Sequence, residues 1–262
     1  MSSFIKTQIR KTLRIFSLEL SRYRPSNSHG AQLAKALELA GINLVFDIGA
    51  NEGQFASEIR EYGYTGKIVS YEPLSSARKK LLELASADPN WEVHDQSAIG
   101  DQAGEIEIHI AGNSVSSSVL PMLESHSSAA VGSAYIDSER VPIAKLDSVA
   151  KHYMTPESKL FIKIDTQGFE WQVLDGANET FQQARGVLCE LSLVPLYDGQ
   201  RLWRDIVDRL DAEGFMLWAL LKGFTDPRTG QSLQMDGIFL KRNVFKNVIH
   251  IQSNNHIELK SK

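Results

Sequence analysis

Three acids stand where successive apolar runs end, and their spacing suits the capture of a cationic, hydroxyl-rich ligand. Asp47 falls inside "VFDIGANEGQF" (45–55), Glu72 closes "KIVSYEP" (67–73), and Asp95 sits in "HDQSAIGD" (94–101). Gly49 and Gly53 leave the backbone after Asp47 bare for close approach, with Ala50 and Asn51 between them. The turn lacks the middle glycine of the dinucleotide fingerprint G-x-G-x-x-G, and an acid two residues before its first glycine would repel a pyrophosphate. The same acid attracts an ammonium group. Glu72 follows Asp47 at the distance where an acid meets a ribose in nucleotide-binding βαβ units, and both carboxylate oxygens can accept a hydroxyl proton. S-adenosylmethionine carries an ammonium, a sulfonium and a ribose. Pro73 adjoins its ribose end, while Asp95 or Gln96 would reach the adenine amino group and the Ala98 N–H a ring nitrogen.

A second set of residues could act on an acceptor. Lys163 and Asp165 flank Ile164 in "LFIKIDTQG", so a strand there points both to one face. Asp165 is the group expected to face the reacting methyl or the acceptor hydroxyl, with Lys163 paired to it or to Glu190 at the end of "GVLCE". A buried ion pair holding two strands together is the structural alternative. A divalent cation on Asp165 and Glu190 is disfavoured, because Gln167 stands where a further carboxylate ligand would be wanted, so no metal is expected. His94, His109 and His126 are further sources of a base, each more simply read as a surface or hydrogen-bonded residue. Asn113, Ser116, Ser117 and Ser118 in "GNSVSSSVL" offer compact donors and acceptors for a hydroxyl-rich acceptor, or form a flexible linker. Glu170 is read as favouring the dipole of the helix it opens.

The elements that must position these groups alternate along the chain. Near-continuous apolar runs at 43–49, 67–73, 91–95, 159–165 and 186–192 are separated by helical patterns, which predicts a parallel sheet covered on both faces, a doubly wound α/β fold. Residues 101–146 break the alternation with "GEIEIHI" and "RVPIA", which predicts a β-rich insertion beside the carboxyl ends of the strands. Residues 1–30 read as a basic amphipathic helix and linker, 31–245 as the main domain and 246–262 as a tail. Residues 1–25 hold Lys6, Arg10, Lys11, Arg14, Arg22 and Arg24 against Glu19. Phe4, Ile5, Ile9, Leu13, Phe16 and Leu20 recur on one helical face there, which suits packing on the main domain or peripheral contact with an anionic membrane.

At 262 residues, 42% hydrophobic and 23% charged, with a net charge of −4, the chain is an ordinary globular composition with no whole-molecule attraction to nucleic acid. Its single cysteine, Cys189, lies in an apolar run and reads as a packing residue, which fits a reducing, cytoplasmic setting.

The motifs "VFDIGANEGQF", "SYEP", "SAIGD", "AKLDSV", "KIDTQGFEWQVLDGA" and "CELSLVPLYDG" together resemble the FkbM-type methyltransferases, a branch of the class I S-adenosylmethionine-dependent enzymes. The resemblance runs from about residue 43 to 240. It implies a Rossmann-like sheet closed by an antiparallel hairpin, here "FMLWALL" with "DGIFLKR", and O-methylation of a hydroxyl on a sugar, glycan or polyketide-type molecule. Asp47, Gly49, Asn51, Gly53 and Glu72 are the positions that would bind the cofactor by motif. Lys145 and Gln96 depart from the threonine and asparagine the resemblance leads one to expect. A nicotinamide-dependent oxidoreductase and a non-catalytic binding module on the same sheet are the competing readings.

Overall fold

The computed structural model describes residues 3–16 and 24–244; Leu20, Arg22 and the 246–262 tail lie outside the described residues. The chain opens with α1 (Ser3–Ile15), then α2 (His29–Ala40). The Ser28 hydroxyl accepts from the Ala31 N–H to start α2, so the linker expected to reach residue 30 ends sooner. Gly41, at φ 60°, stops the helix in the left-handed conformation that glycine adopts without steric cost.

Two βα steps and a third strand build the first half of the sheet: β1 (Leu44–Ile48), α3 (Gln54–Glu61), β2 (Lys67–Tyr71), α4 (Ser75–Ala85) and β3 (Trp91–Val93). The insertion follows as β4 (Ala98–Ile99), β5 (Gly104–Ala111), a one-turn α5 (Glu124–Ser127), β6 (Tyr135–Ala144) and α6 (Leu146–Val149). The second half comprises β7 (Leu160–Ile164), α7 (Glu170–Asp175), α8 (Asn178–Gln183), β8 (Ala184–Ser192), α9 (Trp203–Ala212), β9 (Phe215–Lys222) and β10 (Gln234–Lys241).

The main sheet has the order β3-β2-β1-β7-β8-β10-β9. Its first five strands are parallel, and β10 lies antiparallel between β8 and β9. This is the Rossmann-like class I methyltransferase fold with its antiparallel closing hairpin. Side-chain alternation divides the core into two layers: Phe46, Val69, Ile162 and Val187 pack on one face, and Val45, Ile68, Phe161 and Leu188 on the other. The expected insertion is a separate three-stranded sheet, β4-β6-β5, whose Ile108, Val141 and Ile143 pack against Leu74 and Phe169. That contact fixes the insertion over the carboxyl ends of β2 and β7.

The helical pattern between the apolar runs at 159–165 and 186–192 forms two helices. They part at Gly176, where a Cβ would sit 1.8 Å from the Gly100 carbonyl oxygen, so only glycine fits this close to the insertion. Asp147 restarts the helix as α8 by accepting the Glu179 and Thr180 N–H groups. Among the described residues no helix is long and apolar enough to cross a membrane.

Candidate functional site

The loop after β1 is shaped by three positive backbone torsions, Gly49 at φ 74°, Asn51 at φ 47° and Gly53 at φ 95°. Gly49 is required there, because a Cβ would lie 1.9 Å from the Asp165 carbonyl oxygen. Gly49 and Ala50 N–H groups both donate to the Tyr71 carbonyl at 3.1 Å, which ties the loop to the tip of β2. The next residue of that tip is Glu72, which is 5% exposed. Its Oε2 accepts the Asn51 N–H and its Oε1 the Leu74 N–H, each at 2.8 Å. Burial pushes its carboxyl up to about 7, against the pull of those two donors. The Gly49, Ala50, Asn51 and Gly53 N–H groups all donate within the protein, so this turn presents none of them to a phosphate.

Lys163 forms the second knot. Its Nζ donates to the Gly49 carbonyl at 2.7 Å and lies 3.3 Å from Asp47 Oδ1 and 3.6 Å from Asp165 Oδ2. Burial disfavours the ammonium, but Asp165 and Asp47 outweigh it and hold Lys163 above the ordinary lysine value. Asp47 is fully buried, its Oδ2 accepting the Ser70 hydroxyl, and burial raises its carboxyl against Lys163.

Gln167 joins the tips of β7 and β8. Held at φ 53°, it donates from Nε2 to Asp165 Oδ1 at 2.9 Å and to both Glu190 oxygens at 3.1 and 3.2 Å, while its Oε1 accepts the Tyr197 hydroxyl. The buried Glu170 Oε1 caps the same turn from the Thr166 and Gly168 N–H groups, so it holds the loop rather than merely favouring a helix dipole. Glu190 is raised well above its ordinary value by burial and by Asp165, Glu170 and Asp236.

These tips enclose a cavity of about 490 Å³ between the main sheet and the insertion. Gly49, Ala50, Asn51, Glu72, Pro73 and Ala98 line it from the β1, β2 and β4 side; Lys163 and Asp165 line it from β7; Ser117 and Ser118 line it from the insertion.

The remaining residues singled out by sequence lie off the lining. Asp47 is off the lining behind Lys163, whose Nζ lies 3.3 Å from its Oδ1, so the lysine stands between this carboxylate and a ligand amine. Gly53 faces Trp91 and Leu81, where a Cβ would meet the Trp91 ring at 2.9 Å, so its smallness serves packing. Asp95 is exposed, and Gln96 turns back to Pro73 O, Ser75 Oγ and Glu139 Oε1. Glu190 is reached through Gln167, and it does not meet Lys163, whose partners are Asp47 and Asp165. Asn113 and Ser116 bond each other, and the Ser116 hydroxyl also pairs with the buried His126, so they brace the loop. Ser117 and Ser118 also spend hydroxyl bonds inward, on Ser114 O and Gln167 O. None of His94, His109 or His126 lines the cavity; His94 pairs with the Tyr153 hydroxyl and His109 stacks on Tyr135.

Sequence reasoning missed Asp236 and Glu58, which both line the cavity. Asp236 stands opposite Glu190 in the β8/β10 register, and burial together with Asp165 pushes its carboxyl up to about 7. An acid in the otherwise apolar run "DGIFL" was the available signal.

Two features fit a ligand with hydroxyl and ammonium donors. Asn51 Oδ1 is buried at the cavity wall without a donor from the protein. A carboxylate offers about four acceptor sites, and the protein fills one on each oxygen of Glu72. The acids Glu58, Glu72, Asp165 and Asp236 outnumber the lysines Lys163 and Lys222 on the lining, which favours a cation. Among the described residues no group of three or more His, Cys, Asp or Glu side chains is placed to hold a metal ion.

Residues 47–217 match the family described as the methyltransferase FkbM domain. No curated protein matches the chain. Among solved structures, a methyltransferase FkbM from Methylobacillus flagellatus KT is similar at 12% identity and a TM-score of 0.44, covering 75% of this chain. This chain spans 43% of that protein's length. Aeropyrum pernix fibrillarin, solved with natively bound S-adenosyl-L-methionine, has 11% identity and a TM-score of 0.44 over 80% of this chain and 74% of its own. An rRNA methylase from Streptococcus thermophilus has 11% identity and a TM-score of 0.44 over 85% of this chain and 99% of its own. At these TM-scores the assignment rests on the family match, which covers well over half of the chain: the protein belongs to the FkbM methyltransferase family.

Proposed function

We propose that the protein is an S-adenosylmethionine-dependent O-methyltransferase acting on a hydroxyl of a sugar, glycan or polyketide-type small molecule. The observation that carries the reading is the buried Glu72 carboxylate spanning two strand tips beside the partnerless Asn51 Oδ1. The cofactor supplies an electrophilic methyl on a sulfonium.

Glu72 would accept from the ribose hydroxyls with the oxygen lone pairs that Asn51 and Leu74 leave open, and Asn51 Oδ1 would accept from the ammonium. Pro73, Leu74, Ala98 and Ile99 supply an apolar wall for the adenine. On the acceptor side, Asp165 would orient the attacking hydroxyl and receive its proton. Gln167 and Lys163 hold the Asp165 carboxylate in place, one on each oxygen. The net charge of −4 and the acid-rich lining speak for a neutral or cationic acceptor rather than a nucleic acid.

The reading is tested by transfer of labelled methyl from S-adenosylmethionine to a panel of glycosides and polyketides, with Asp165→Asn alongside. Transfer by the native protein with a loss of about 10²-fold or more in the variant supports the assignment. Transfer unchanged by Asp165→Asn removes that residue from the chemistry, and binding without any transfer favours a binding module.

A further inference from the structure

Among the described residues of the basic segment at the start of the chain, none lines the cavity. It forms α1, whose residues Ser3–Ile15 include Lys6, Arg10, Lys11 and Arg14 and no acid. At about 100° per residue, the helical period puts those four residues on one arc and Phe4, Ile5, Ile9, Leu13, Ile15 and Phe16 on the other. Ile15 is 79% exposed and Phe16 69% exposed. With +5 on residues 1–25 and −4 on the whole chain, the remaining residues carry −9.

That charge division offers α1 an electrostatic partner within its own chain. Such a contact would satisfy the basic arc alone and leave Ile15 and Phe16 in water, as they are here. A partner that satisfies both arcs must present negative charge and an apolar phase side by side. An anionic phospholipid surface does so, since a helix lying in the interface plane sinks its apolar face below the headgroups and keeps its cations among them.

We propose that α1 is an interfacial helix that docks the protein on an anionic phospholipid bilayer. It lies on the membrane and does not cross it, since thirteen residues are too few to span the hydrocarbon core. The proposal stands apart from the assignment of the cavity, so either can fail alone.

The test is co-sedimentation of the full chain with vesicles of phosphatidylcholine, and of phosphatidylcholine with one third phosphatidylglycerol. The expected result is binding to the anionic vesicles at 0.15 M NaCl, with at least ten times less binding at 1 M, where the screening length falls from about 8 Å to about 3 Å. Binding to phosphatidylcholine alone should be at least ten times weaker. Each basic residue near such a surface accounts for about fivefold in partitioning, so Lys6→Gln/Arg10→Gln/Lys11→Gln/Arg14→Gln should lose more than 100-fold. Ile15→Ser/Phe16→Ser, at exposed positions, should also weaken binding while the thermal melt of the main domain stays in place.

Three results would overturn the proposal. One is failure to sediment with anionic vesicles; another is binding that the fourfold variant retains. The third is self-association without vesicles that Ile15→Ser/Phe16→Ser abolishes, which would make a second copy of the chain the partner.

Discussion

Lys163 and Asp47 lie side by side on adjacent parallel strands, Nζ to Oδ1 at 3.3 Å, both buried. The lysine therefore neutralises an acid that the motif offers to a ligand, and its third contact, to the Gly49 carbonyl, ties the pair to the loop after β1. Removing the cation leaves a buried charge uncompensated. Lys163→Met should cost about 3–5 kcal/mol in urea unfolding. Adding Asp47→Asn to Lys163→Met should recover part of that loss, because it removes the orphaned charge; additive losses would contradict the pairing.

Glu72 makes stability and binding depend on pH in opposite senses. Its carboxyl is raised from 4.5 to about 7 in the folded protein, so folding takes up a proton between those values. The stability it contributes is present below the unfolded value and is lost as pH rises through the folded one, by about 3 kcal/mol in all. Asp236, raised from 3.8 to about 7, acts in the same direction. Chemical denaturation from pH 4.5 to 8 should show this decline, and Glu72→Gln should flatten it.

Cofactor affinity should move the other way, because ribose hydroxyls and a cationic ligand both favour the ionised carboxylate. With a carboxyl near 7, binding of S-adenosylmethionine should be about tenfold weaker at pH 6 than at pH 8. Affinity that is flat across this range would mean Glu72 does not meet the ligand.

The two loop glycines should respond differently. Gly49→Ala drives a Cβ into the Asp165 backbone and should disturb cofactor binding and stability together. Gly53→Ala meets the Trp91 ring at 2.9 Å at φ 95°, so it should lower the melting temperature, with a stability loss of about 1–2 kcal/mol. Binding by its folded fraction should be nearly unchanged.

Periodicity and strand-end chemistry made much of this architecture legible. The apolar runs around Val45, Ile68, Ile162 and Leu188 are the parallel strands, and the alternation in "GEIEIHI" marks a strand of the insertion. Glu72 could be placed at the cavity because it directly follows its strand. What local spacing could not reveal was set by contacts between distant segments. Gln96 is drawn away by Glu139 of the insertion, 43 residues on. Asp47 is claimed by Lys163 from a strand more than a hundred residues later, and Asp236 reaches the cavity only because β10 inserts between β8 and β9. Ser116 is lost to His126, only ten residues on, because the loop between them folds back in no helical or strand period.

In the proposed function the Glu72 carboxylate grips the cofactor in this cavity. Calorimetric titration of S-adenosylmethionine into the native protein and Glu72→Ala at pH 8, with NAD as the comparison ligand, tests it most directly. Saturable binding of S-adenosylmethionine to the native protein, none of NAD, and a loss of about 1–3 kcal/mol in the variant are expected. Equal affinity in the two proteins, or NAD bound in place of S-adenosylmethionine, would contradict it.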